Sequence, residues 1–276
     1  MAGRPASGTD MKNTYLELTR KFNQGRVRAI LAGGQAVVLH RLAIMSKDGD
    51  WILREDPQTM EHVRSVLGHY GARYRFGAPL DVRWMAGGWS AHLEFQWQEL
   101  RVRTDFVTRP PRLNHESLQR IWRDVEGQET PFLDAADLAD MKKTNREKDY
   151  VVIGELARRM SDPDDRILYS RSARDLIELA QQYPARVRCL AERRAVLTTI
   201  DQGREALEAA LDAERRQLIR ANEERLAKYL EAAKPWAAAW PALSRQMDGL
   251  ALSEAHRLMV RQAETSLPFT VQGGWP

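Results

Sequence analysis

The chain of 276 residues can bury a sizeable core, and its 43% hydrophobic and 29% charged residues exclude a disordered or fibrous protein. Its single cysteine, Cys189, excludes an internal disulfide and fits a reducing compartment, and no apolar run approaches the roughly 20 residues that span a bilayer; a cytoplasmic protein without membrane contact is expected. The net charge of +4 falls entirely within residues 1–160, because residues 161–276 carry 17 basic and 17 acidic side chains, and a basic N-terminal half suits an anionic ligand such as a nucleotide or RNA.

Residues 1–10 read as a flexible polar leader, and Met11 to Asn23 as a helix with Tyr15, Leu16, Leu18 and Phe22 at helical spacing. Arg28 to Ala32 is a short apolar strand running into Gly33-Gly34, and Gln35 to Leu42 a short helix starting at those glycines. Asp50 to Leu53 is a strand. Asp56-Pro57 is an N-cap followed by proline at the first helical position, opening a helix that ends at Gly71. After the Gly87-Gly88 turn, His92–Trp97 and Leu100–Val107 alternate polar and apolar residues, and Gln98-Glu99 is short enough to make them a hairpin. Asp137 to Met160 reads as one helix. Beyond residue 160 strand signals nearly vanish: Arg171–Gln182, Ala185–Ile200 and Asp201–Ala233 have helix-forming composition, the last with a stripe of Leu207, Leu211, Leu218, Leu226 and Leu230 interrupted at Asn222. The expected fold class is α+β, a mixed sheet flanked by helices (residues 11–160) followed by an all-helical bundle (161–276).

The chemistry centres on Ser46-Lys47-Asp48-Gly49-Asp50. Side chains two apart on a strand share a face, so Asp48 and Asp50 can jointly hold a hard divalent cation, although a solvated turn is the commoner meaning of such a pair. Gly33-Gly34 before a helix offer a phosphate cradle, or only a turn. Asp105, inside an apolar strand, needs a partner: a metal shared with Asp48 and Asp50, or a salt bridge to Arg101 or Arg103. Lys142 and Arg146 would be neighbours on one face of the cationic helix and could meet a triphosphate.

In their order and spacing, Leu31-Ala32-Gly33-Gly34-Gln35-Ala36, the Ser46–Asp50 segment, the later strand aspartate and the Lys142…Arg146-Glu147-Lys148-Asp149 helix resemble the nucleotidyltransferase superfamily over residues 25–160, most closely the abortive-infection (AbiE-type) toxin members. The resemblance implies an enzyme in which Asp48, Asp50 and Asp105 ligate Mg²⁺. Gly33, Gly34, Ser46 and the adjoining Lys47 would meet the phosphates of an NTP, with Lys142 and Arg146 neutralising them. A nucleoside monophosphate would pass to a hydroxyl of RNA, tRNA included, or of a protein, in a toxin or phage-defence setting with a cognate antitoxin or self-association through the helical part. The alternative is a catalytically inactive protein of the same fold acting through its helices. Gly34 departs from the serine many superfamily members carry there, a change shared by the AbiE-type branch, and Val152 stands where the helix motif often has another acid.

Other candidates are weaker. The six histidines (40, 62, 69, 92, 115, 256) lack closed zinc spacing, and Cys189 has no recognisable catalytic partner. Asp81 is an alternative third acid, Gly87-Gly88 a structural turn. Trp236 and Trp240 sit on one helical side, for core packing or for base stacking.

Overall fold

Residues 13–273 are described by a computed structural model, and the expected leader lies outside them. Up to residue 107 the order is α1 (Thr14–Phe22), β1 (Ala29–Ala32), α2 (Gly33–Leu39), β2 (Asp48–Leu53), α3 (Pro57–His69), β3 (Arg73–Tyr74), α4 (Val82–Met85), β4 (Ala91–Trp97) and β5 (Leu100–Val107). Helices follow: α5 (His115–Asp124), α6 (Ala135–Met141), α7 (Glu147–Ala157), α8 (Pro163–Tyr169), α9 (Ala173–Gln182), α10 (Pro184–Leu190), a 3-10 segment (Ala195–Gln202), α11 (Arg204–Ala232), α12 (Lys234–Met247) and α13 (Leu252–Ser266). The class is therefore α+β, a five-stranded mixed sheet flanked by helices with a helical C-terminal region.

Local chemistry sets the starts and stops. Asp56 accepts the Thr59 amide at 2.8 Å and Pro57 opens α3, which is followed by Gly71 at φ +65°. Sheet order is β1-β2-β5-β4-β3, with β2 and β5 parallel and the other pairs antiparallel. The hairpin forms as expected, with Trp97 opposite Leu100. Its tip overruns the layer that covers it, so Trp97 and Leu100 stay exposed while Leu93, Phe95, Val102 and Phe106 are buried.

Strand alternation divides the sheet into two unlike faces. One carries Leu31, Trp51, Leu53, Leu93 and Phe106 and is covered by α1, α3, α12 and α13. There Trp51 stacks on Phe106 and donates its indole N–H to Thr19 at 2.9 Å. The other face is apolar at Ile30, Ala32 and Ile52, where α2 and α5–α7 cover it, and polar from Asp50 toward the hairpin.

Two expected helices are broken. Asp137–Met160 divides into α6 and α7, because Lys142 caps one and Arg146 begins the next. Ala185–Ile200 divides into α10 and the 3-10 segment. The last strand ends at Val107, and the core runs across the boundary expected at residue 160: Tyr229, Trp236, Met259 and Ala263 pack in the same cluster as Trp51 and Phe106. Only Ile167 to Leu211 form a cluster of their own. The leucine stripe explains this, since Leu207 and Leu211 join that small cluster, Leu218 joins the α5–α7 layer, and Leu230 is exposed. No helix among the described residues is long and apolar enough to cross a membrane.

Candidate functional site

Strand register assembles the polar face row by row. Asp50 lies opposite Asp105 on the parallel neighbour, and Asp105 lies opposite His92 on the next strand. One step along, Asp48 pairs in register with Arg103, and Arg103 with Glu94. Gly49, between the two acids, faces the other side, where an added β-carbon would stand 2.4 Å from the Trp51 ring and 2.5 Å from Tyr15. That close aromatic support is why the strand reads Asp-Gly-Asp. The Tyr15 hydroxyl also donates to the Lys47 carbonyl at 2.7 Å, fixing the approach to Asp48.

The glycines prove to be a cradle for a carboxylate. β1 ends at Ala32, opposite Asp50, and the chain turns at Gly33 with φ +54°. A β-carbon at Gly33 would lie 1.9 Å from Asp50 Oδ2, and the Gly34 amide donates to that oxygen at 3.3 Å. A β-carbon at Gly34 would in turn lie 2.2 Å from Ser46 Oγ, so Ser46 closes over the start of α2. Gln35 ties the same loop down, donating to the Ser46 carbonyl at 2.9 Å. Burial, then the neighbouring Asp105 charge, pushes the Asp50 carboxyl above the usual aspartate range, against the opposing pull of the Gly34 amide and Lys142. Asp48 Oδ1 is shielded from water and accepts no hydrogen bond; the Arg103 guanidinium stands 3.7 Å away.

The donor set fits a divalent cation in kind. Asp48 and Asp50 present hard carboxylate oxygens, one orphaned and one destabilised by a like charge, and both conditions are relieved by positive charge. Asp105 is engaged: its Oδ1 accepts from His92 Nδ1 at 2.8 Å and from Arg75 at 3.4 Å. Among the described residues no group of three or more His, Cys, Asp or Glu side chains is gathered as a metal cage. An open two-carboxylate site is nevertheless the usual Mg²⁺ arrangement, in which water and substrate phosphate complete the shell.

The cations are placed differently from the expectation. Lys142 and Arg146 do not share a helix face; they flank the α6–α7 break and converge on the buried Asp149, at 3.5 and 2.8 Å. Lys142 still acts electrostatically on Asp50, so it adjoins the site, whereas Arg146 is exposed and held by Asp149. The Lys47 side chain is exposed. Asp81, the alternative acid, caps α4 and pairs with Arg83. Gly87 is structural: its α-carbon packs against the backbone of Phe269, and its carbonyl accepts from Tyr229.

Sequence reasoning set His92 aside with the other histidines and overlooked Ser90 and Arg75. His92 bridges Asp105 and Ser90, with Nε2 2.9 Å from the hydroxyl, and Arg75 braces the same carboxylate. A signal existed, because a two-residue hairpin with Trp97 opposite Leu100 places His92 opposite Asp105 by counting back along both strands.

No protein-family model and no curated protein matches this chain. Two solved structures, both from Helicobacter pylori, are similar at 12% identity and a TM-score of 0.36. One, provisionally named a nucleotidyltransferase, aligns over 76% of this chain and 96% of its own; the other, JHP933, aligns over 78% and 93%. A TM-score at that level is too low to carry a functional inference.

Proposed function

We propose that the row of Asp48, Asp50 and Asp105 is a nucleotidyl-transfer site, in which a nucleoside monophosphate moves from an NTP to an acceptor hydroxyl and pyrophosphate leaves. The observation that carries this reading is Asp50. Its carboxyl is half-buried, opposed by Asp105, and set directly against the Gly33-Gly34 turn that begins a helix. Asp48 and Asp50 would hold Mg²⁺, with Asp105 the third carboxylate; the ion, when bound, lowers the pKa of the attacking hydroxyl and neutralises charge on the leaving oxygen. The Gly33-Gly34 turn, its Gly34 amide held on Asp50, and the hydroxyl of Ser46 would face the phosphates, with Lys47 at the rim of the site. Lys142, already close enough to act on Asp50, would offset triphosphate charge, and Arg146 would add to it on release from Asp149. His92, hydrogen-bonded to Asp105, orients that carboxylate. RNA, tRNA or a protein would supply the acceptor, in a toxin or phage-defence role.

Labelled NTPs incubated with Mg²⁺ and total RNA or lysate test this. Label transfer that disappears in Asp48→Ala and Asp50→Ala is expected; transfer surviving either change sinks the proposal. Ligand at 100 times its dissociation constant should also stabilise the chain by ~2.7 kcal/mol, only with Mg²⁺. One observation favours a second, non-catalytic reading in which an antitoxin or other partner docks. The loop joining α2 to β2 exposes Ile44 (98%) and Met45 (74%) beside the site. Flat melting curves with every NTP would favour it.

A further inference from the structure

A large cleft lies not at the acidic row but beside it. A cleft of about 1250 Å³ runs between α3, β3 and the α12–α13 corner. Arg64, Arg73, Arg75, Arg245 and Arg257 line it, against Glu61, Glu94 and Asp248, so cations outnumber anions. Arg245 and Arg257 are exposed and form no ion pair among the described residues, while Arg73 is shared with Glu94. The wall also holds aromatic surface. Phe76 is 46% exposed and stands edge-on to Trp240, ring centroids 5.6 Å apart. Trp236 instead lies in the core and donates to the Gly77 carbonyl, so the tryptophan pair divides between packing and cleft. Arg75 links the cleft to the acidic row, lining the one and reaching Asp105 in the other at 3.4 Å.

We propose that this cleft binds a single-stranded nucleic acid, with Arg245 and Arg257 on its phosphates and a base against Phe76, and delivers the strand's end past Arg75 to the acidic row. Unpaired arginines answer a polyanion, and an exposed ring answers an unpaired base rather than a duplex, whose bases are already stacked. The delivery step rests on the nucleotidyl-transfer reading. Affinity for the strand does not.

Fluorescence anisotropy on the full chain, without Mg²⁺ or NTP, separates the two. The probes are labelled oligouridylate, its deoxy counterpart, a short RNA duplex and an oligoglutamate peptide. Both single strands should bind, with oligouridylate against deoxy-oligomer deciding whether RNA is preferred, and the duplex and peptide should bind at least about tenfold more weakly. Arg245→Glu with Arg257→Glu should weaken single-strand binding about tenfold or more and flatten the salt dependence by roughly 0.7 for each phosphate no longer held. Phe76→Ala should weaken it about tenfold with the salt slope unchanged. All three positions are exposed, so unchanged melting curves certify folding. No single-strand binding, equal duplex or peptide binding, or indifference to the cleft changes overturns the proposal. Strand binding without label transfer to any acceptor would instead overturn the nucleotidyl-transfer reading and leave the cleft standing.

Discussion

Asp50 shows how a carboxylate set beside a like charge away from water costs stability. Its folded carboxyl titrates above the ordinary value of 3.8, chiefly through burial and then through Asp105. A raised carboxyl favours the folded chain only while protonated. That contribution is whole below pH 3.8 and is lost as pH rises through the folded value. Asp50→Asn should therefore match the parent in acid and exceed it in stability at neutral pH, measured by denaturant melts in chelator. If Asp50 holds Mg²⁺ as proposed, adding the ion should narrow or reverse the order, because the amide is the poorer ligand. A variant less stable at neutral pH in chelator would show that the carboxylate is satisfied as it stands.

At the level of elements, the hairpin and the acidic strand were legible because period-two alternation survives in short strands and a two-residue turn fixes their register. The α6–α7 break was not legible. Lys142-Lys143-Thr144-Asn145-Arg146 has no Gly or Pro, and the break is made by partners elsewhere. Thr144 donates its hydroxyl to Asp149 at 2.6 Å, and Asn222, buried on α11, donates to the Lys143 carbonyl at 2.7 Å. The residue that interrupts the leucine stripe is the one that holds this break, a contact across 79 positions that no local pattern records. Asn222→Ala should leave that carbonyl unpaired and cost about 1–3 kcal/mol in chemical denaturation. On the nucleotidyl-transfer reading, NTP affinity should fall with it, because Lys142 adjoins the break. A cost near zero would mean that water replaces the amide.

Across the whole molecule, the helical half closes the back of the sheet. Trp236 is 1% exposed, packs among sheet residues and donates to the Gly77 carbonyl at 3.1 Å. Trp236→Ala should cost roughly 3–5 kcal/mol, and hydrogen exchange should quicken in β3 and β4 as well as in α12. Quickening confined to α12 would show that the halves are energetically separate. The same shared core runs well past the strands: they end at Val107, but the cluster that packs on the sheet continues to Leu267.

The 1.9 Å between Asp50 and the β-carbon that Gly33 lacks has a consequence for heredity. Every single-base change in a glycine codon that still encodes a different residue adds a β-carbon, so position 33 has no one-step neighbour that leaves the carboxylate in place. The constraint runs one way: the acid can change alone, but the turn cannot gain a side chain while Asp50 stays where it is.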